Sequence, residues 1–458
     1  MLFSINPRVL YTLGSALLII TGSLVAIRFA QGYRFSFSQQ QSMRSTGLLA
    51  ANSFPSGGQV MVDDKLIGAT DDTFYLEPNT YNVEINKDGY HAWKKTLQLQ
   101  PELVVQTNAQ LFKRVPSLTP LTYTGIHNIS PSPDGERVIF YTASTSAKTK
   151  NGLYVLDLSA SLLNAQRDPR QITEEATDFD LKNAQFIWSP DNSQVILSSD
   201  GREVLLEVNK KNELASLSDI GFRKKEVLSE WESELYIKER QYMSKFPAKI
   251  LEVSSQSATN VYLSPDKKKL LYTATASATL PENLVPPLPS ANTQKQERTI
   301  QPGSTYVYDR EEDRNFKVDV ISNRADYVKI ATSSAFAKNG KVLLADDLSG
   351  PAKSFNASPS SFLRMTASTS AQTAANFSSY YSSLYSQGIQ WFPDSKHILF
   401  TDGNSIYLME YDNTNRTAVY SGPFDPQFIY PWPDGSRILT LTSLGSTAFS
   451  NLYAIELK

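Results

Sequence analysis

An all-β protein is expected from three observations. A hairpin turn built on Pro-Asp recurs five times, short apolar runs flank each copy, and aromatic content reaches 11% from 23 Tyr, 22 Phe and 5 Trp, a composition that favours strands. The chain of 458 residues is too long for one ordinary core. Its expected order is a transmembrane anchor over residues 1–31, a stalk over 32–51, a small β-sandwich over 52–114, and a β-propeller of about six blades (five to seven) over 115–458.

The anchor rests on Val9 to Ile27, VLYTLGSALLIITGSLVAI, 19 residues without a charge and bracketed by Arg8 and Arg28. As a helix this run spans roughly 28 Å, near the thickness of bilayer hydrocarbon. A cleaved leader would have an apolar region of about 7–15 residues and a small-x-small site. Here Arg28 falls at the −3 position and no lipobox cysteine is present, so an uncleaved anchor is expected. Arg8 opposes Arg28 and Arg34, and charge counting leaves the orientation open. With seven residues before Arg8, function is expected to lie C-terminal to the helix. The polar stretch that follows, with Gln39-Gln40-Gln41, reads as the stalk.

Strand signals begin at Gln59-Val60-Met61-Val62. Turns are expected at Asp63-Asp64-Lys65, Glu77-Pro78-Asn79 and Asp88-Gly89, and strands at Leu66–Gly68, Tyr81–Ile85 and Trp93–Leu99. This spacing makes a small antiparallel sandwich. The set Pro55-Ser56-Gly57-Gly58, Val60–Asp63, Ile67-Gly68, Thr70, Tyr81-Asn82-Val83 and Gly89-Tyr90 resembles the PEGA domain, with Gly58 where the namesake motif has Ala. The resemblance implies a β-sandwich of bacterial envelope proteins, a spacer or adhesion module without catalytic residues. Tyr90 and Trp93 are a candidate binding patch, but packing of the last hairpin is the favoured role.

The repeated turns are Pro133-Asp134, Pro190-Asp191, Pro265-Asp266, Pro393-Asp394 and Pro433-Asp434, whose starts lie 57, 75, 128 and 40 residues apart. Proline sets φ near −65° at the second turn position, Asp accepts nearby backbone N–H groups, and the next residue takes a left-handed conformation. Gly135, Asn192 and Gly435 suit that position; Lys267 and Ser395 suit it less, so those two turns are expected to differ. A third strand follows in each unit (Leu153–Asp157, Val204–Val208, Thr305–Asp309, Ile406–Glu410, Leu452–Ile455), and often a fourth (Arg170–Thr173, Arg416–Val419). Four-stranded units repeated at about 40–50 residues define a propeller. The wide gap leaves room for a blade around Lys329–Asp346, and the C-terminal strand is placed to pair near Leu118–Tyr123 and close the ring. The repeats resemble TolB-like and WD-repeat-like propellers, which implies this fold and little about activity.

Three insertions interrupt the repeats. Lys224–Ser254 shows helical apolar spacing (Val227, Leu228, Trp231, Leu235, Tyr236) broken at Pro247, and reads as two helices packed on the propeller. Leu280–Gly303 is Pro-rich and reads as an extended loop. Ser354–Gln387 reads as a surface loop, with Tyr380, Tyr381 and Tyr385 as ligand-contact candidates.

Net charge is −2, which gives no support for nucleic acid as a partner. The absence of cysteine excludes disulfides, thiolate nucleophiles and Cys-ligated metal. His91, His127 and His397 are far apart and read as surface or strand residues. No GxSxG elbow or phosphate-binding GxxxxGK[ST] loop occurs, and the sequence ends soon after the last blade. The acid pairs Asp178/Asp180 and Asp346/Asp347 read as strand-end carboxylates. No catalytic residue, cofactor or metal is therefore expected. The resemblances imply that the domains lie outside the cytoplasm, and the expected function is a membrane-anchored extracytoplasmic binding or scaffolding protein with an envelope protein or glycan as partner. A component of an envelope machine is a special case; the rival is a propeller hydrolase or lyase using carboxylates.

Overall fold

The computed structural model describes residues 7–30, 34–35, 43–44, 46–143, 147–159, 168–286, 288, 292–318, 389–444 and 449–458. The chain divides into two units, Met1–Leu111 with Leu288–Gln294, and Phe112–Pro287 with Lys295–Lys458.

The first unit opens with helix α1, Pro7–Ala30. Its side chains from Tyr11 to Ile27 are all exposed. Among the described residues no helix is long and apolar enough to cross a membrane, so the expected transmembrane span is not carried by them. Next comes a mostly antiparallel fold. One sheet runs in the order Lys65–Ala69, Gln59–Val62, Thr80–Asn86, Trp93–Gln98. The turn between its first two chain-consecutive strands has Asp63 and Asp64 both at positive φ, as a type I′ hairpin needs. The expected strands and turns are present, with two differences. Gly47–Ala51, assigned above to the stalk, is a strand paired antiparallel to Asp72–Leu76, with Leu49 and Ala51 fully buried. It also pairs parallel with Val104–Gln106, and Ser53–Phe54 pairs parallel with Ala109–Gln110, so the sandwich is mixed rather than purely antiparallel. Parallel partners lie far apart in sequence and carry no turn signal between them. Trp93 is buried in the core and Tyr90 packs against it, which is the packing role favoured over a binding patch.

The second unit is a succession of antiparallel sheets, called blades here in the order of their Pro-Asp turns. Blade 1 comprises His127–Pro131, Arg137–Thr142, Gly152–Asp157 and Arg170–Glu174. Blade 2 has three strands, Gln185–Trp188, Gln194–Ser199 and Arg202–Glu207. Blade 3 comprises Ala258–Leu263, Lys269–Ala274, Thr305–Asp309 and Arg314–Val318, and blade 4 comprises Ile389–Trp391, His397–Thr401, Ile406–Glu410 and Thr417–Tyr420. Blade 5 takes its fourth strand from the start of the unit: Ser117–Pro120 pairs with Asn451–Glu456, matching Leu118 to Ile455. This is the expected ring closure.

The second strands are buried along nearly their whole length, as in Lys269–Ala274. A blade is covered on both faces by its neighbours, so apolar runs there are continuous rather than alternating. Val138 and Phe140 pack with Tyr430, Leu439 and Leu441, joining blades 5 and 1, while Ile139 and Val155 pack with Trp188 and Val195, joining blades 1 and 2. Leu399 and Leu408 meet Ile429 and Ile438 between blades 4 and 5. Each such side chain contributes about 1.5–3 kcal/mol when removed from water. Phe112 sits in this last cluster, 6.5 Å from Phe392, and so belongs with the propeller, slightly before the expected boundary at residue 114.

Blades 3 and 4 touch directly: Leu271, Val307 and Val318 pack on Ile389, Trp391 and Phe400. They are neighbours in the ring despite the long gap between their turns. Lys329–Asp346, the site expected for a further blade, lies outside the described residues, as do Ser354–Gln387 with its three tyrosines and Asp346/Asp347. On the other side of blade 3 stand the expected helices, α2 (Lys224–Met243) and α3 (Ala248–Gln256). Met243, Phe246, Ile250 and Val253 cover the blade 3 face formed by Leu270, Tyr272, Tyr306 and Tyr308. Lys224, at the start of α2, pairs with Glu203 of blade 2. Within the Pro-rich loop Thr299–Ile300 pairs antiparallel with Ala278–Thr279, which lies just before it.

Candidate functional site

The five Pro-Asp turns share one construction. In each, the residue before proline accepts the N–H three residues on, at 2.8 to 3.1 Å, and the Asp Oδ1 accepts the N–H two residues on (Glu136, Ser193, Lys268, Lys396, Ser436). The residue after Asp is left-handed every time: Gly135 at φ 81°, Asn192 at 58°, Lys267 at 61°, Ser395 at 59° and Gly435 at 65°. The expectation that the Lys267 and Ser395 turns differ is therefore corrected. The hydrogen-bonding frame sets the geometry, and it overrides a left-handed penalty of about 1–2 kcal/mol.

What differs is the latch inside the turn. In blades 1, 2 and 3 a buried serine, Ser132, Ser189 or Ser264, donates to the Asp Oδ1 at 2.5 Å and accepts the N–H five residues on. In blades 4 and 5 the serine is replaced by Phe392 and Trp432. Blade 4 substitutes His397, whose Nδ1 lies 2.6 Å from Asp394 Oδ2. Burial alone would lower the His397 pKa, but the Asp394 carboxylate overrides it and raises it; burial would raise Asp394, but His397 and two backbone N–H groups hold it down at about 2. His397 thus opens the strand His397–Thr401, as the strand reading has it, and is a buried ion-pair partner there. Blade 5 lays Arg437 over the Trp432 ring at 5.2 Å. Ser189→Ala is expected to lower stability by about 1 kcal/mol in chemical unfolding, because it leaves the Gln194 N–H without its side-chain acceptor.

Side chains also tie neighbouring blades together along their innermost strands. Trp188 Nε1 donates to Ser130 Oγ at 3.1 Å, Trp391 Nε1 to the Tyr262 carbonyl at 3.2 Å, and Gln390 Nε2 to the Ile429 carbonyl at 2.8 Å. Arg137 donates to the Asn192 carbonyl at 3.0 Å, and Ser395 Oγ accepts the Asp266 N–H at 2.9 Å.

These contacts bring Pro133, Pro190, Pro265, Pro393 and Pro433 around one cavity of about 660 Å³, within the range of ligand sites. Its remaining wall comes from α2, through Leu235, Lys238, Glu239 and Tyr242, with Tyr262, Trp391 and Tyr430 adding aromatic surface. Lys267 Nζ lies 5.7 Å from the Tyr242 ring centre. Burial lowers the Lys267 pKa, against the opposing pull of Glu239 and Asp266. Asn192 lines the cavity, is only 6% exposed, and its Oδ1 has no hydrogen-bond partner among the described residues.

All five sequence-identified prolines therefore meet at one place, together with Asp134. The carboxylates Asp178 and Asp180 do not join them. Asp178 pairs with Arg202 at 3.0 Å, and Asp180 accepts the Asn183 side chain at 2.6 Å. Sequence reasoning missed Asn192, Lys267 and Glu239 as a group; for Asn192 and Lys267 the signal was only a non-glycine at the left-handed position, and Glu239 lies on α2 without one.

Residues 46–114 match the PEGA domain family, so the first unit carries a PEGA domain. Among solved structures, the chain is similar to a protein assigned as TolB from Agrobacterium tumefaciens (11% identity, 72% of this chain and 78% of that one, TM-score 0.20). It is also similar to TolB from Acinetobacter baumannii (9% identity, 87% and 63%, TM-score 0.20) and to Kuenenia stuttgartiensis hydrazine synthase (9% identity, 89% and 95%, TM-score 0.16). At these scores the likenesses carry no argument, and the propeller rests on the sheets described above. No curated protein sequence matches the chain.

Proposed function

We propose that this protein is a binding or scaffolding protein of the bacterial cell envelope, held at a membrane by α1, with its domains on the extracytoplasmic side and its propeller offered to a protein or glycan partner. The observation that carries this reading is the convergence of the five Pro-Asp turns and α2 on one cavity furnished with aromatic rings, an amide and charged groups. Such a mixture, held on a rigid ring, suits recognition. The PEGA domain supports an envelope setting. The exposed apolar side chains of α1, including Leu17, Leu18, Ile19 and Ile20, support anchoring, since apolar surface of that extent marks contact with lipid or protein.

Affinity capture from detergent-solubilised envelopes tests the reading. The full chain is expected to sediment with membranes, to lose that association when residues 1–31 are removed, and to retain a specific protein or glycan. An unchanged distribution after removal of α1, or capture no different from a blank resin, would remove it.

A further inference from the structure

We propose that the cavity ringed by the blade turns is a saccharide site, in which Asn192, Glu239 and Lys267 make the directional contacts and the aromatic wall takes the sugar faces. This deepens the binding reading above and depends on it. The choice between glycan and peptide follows from what the innermost strands leave available. A peptide bound as an added strand needs backbone groups along a sheet edge. Here Trp391 already occupies the Tyr262 carbonyl and Gln390 the Ile429 carbonyl. Two of the carbonyls such a strand would use are thus taken, which favours recognition through side chains.

Those side chains offer both acceptors and a donor within one enclosure. Asn192 Oδ1 is a buried acceptor without a partner among the described residues, a state that costs about 1–3 kcal/mol until a donor arrives. Its backbone is clamped by the turn and by Arg137, so the amide is preorganised. Lys267, from the blade 3 turn, brings an ammonium to the same cavity, near the Tyr242 ring and under the influence of Glu239. A sugar hydroxyl both donates and accepts, and its ring has an apolar face. That pattern matches acceptor, donor and aromatic surface together, whereas an extended apolar ligand would leave Asn192 Oδ1 unsatisfied.

Titration calorimetry of the full chain in detergent with chitotetraose, cellotetraose and maltotetraose, and with tetra-alanine as the peptide comparison, tests the proposal. At least one tetrasaccharide is expected to bind saturably and tetra-alanine not to bind. Asn192→Gly keeps the left-handed backbone while removing the amide, and is expected to weaken saccharide binding about tenfold, the equivalent of one lost hydrogen bond. Lys267→Gln is a second variant, expected to weaken it in the same direction with an unchanged unfolding midpoint. Failure of all three saccharides to bind, or undiminished binding by both folded variants, would overturn the proposal. Envelope capture that persists in Asn192→Gly alongside absent saccharide binding would overturn this site alone and leave the scaffold reading standing.

Discussion

Asp394→Ala is expected to destabilise the propeller by about 2 kcal/mol, because it deprives two backbone N–H groups and the buried His397 ring of a charged acceptor that itself reaches solvent. The Asp394 carboxylate accepts the Lys396 and His397 N–H groups at 2.9 and 3.0 Å and holds the His397 ring, which is 2% exposed. Alanine would leave that ring buried among Phe112 and Phe392, at 5.2 and 6.3 Å, without its counter-charge. Asp394→Asn keeps an acceptor for the turn and is expected to cost less. The pair also shapes the pH profile. Asp394 has a depressed folded pKa of about 2, so its contribution is present above the ordinary carboxylate range and lost as pH falls toward 2. His397 has a raised folded pKa, so its contribution is present below the ordinary imidazole value and lost as pH rises through the raised one. Urea unfolding followed by Trp391 and the other tryptophans across pH should show both limbs weaker in Asp394→Ala than in the wild type. A profile shared by the two proteins would refute the pairing.

Glu232→Gln is expected to stabilise the protein above neutral pH by about 2 kcal/mol, after allowing for water that still reaches the group. Glu232 lies on the inner face of α2 between the buried Leu228 and the half-buried Leu235, and its Oε1 has no hydrogen-bond partner among the described residues. Burial pushes its pKa from 4.5 up to about 7. Between those values the folded chain holds a proton that the unfolded chain has released, so wild-type stability falls as pH rises through that window and levels off above it. Glutamine removes the slope. Trp231, the adjacent residue, reports on α2 directly by fluorescence. Equal slopes in the two proteins would show that Glu232 is solvated.

Much of the fold was legible because it repeats. A Pro-Asp turn with an apolar run on each side is a local event, governed by φ restriction and hydrogen bonds within six residues, so Pro133, Pro190, Pro265, Pro393 and Pro433 announced five hairpins. The break at Pro247 likewise marked the end of α2. The parallel strands at Gly47–Ala51 and Val104–Gln106 were not legible, because nothing near either one encodes its distant partner. Nor was the role of His397: as one histidine among strand residues it looked ordinary, and only the loss of serine at Phe392 hinted that this turn needs another latch.

The sequence by itself determined the turn chemistry, the helical insertion, the PEGA-like module and the closing strand pair, since each is specified by neighbouring residues or by a periodic pattern. Only the tertiary structure decided that the five prolines surround one cavity, that α2 supplies its remaining wall, and that Asn192, Lys267 and Glu239 share it. Those relations depend on how sheets stack face to face, and stacking is governed by side chains drawn from blades tens to hundreds of residues apart.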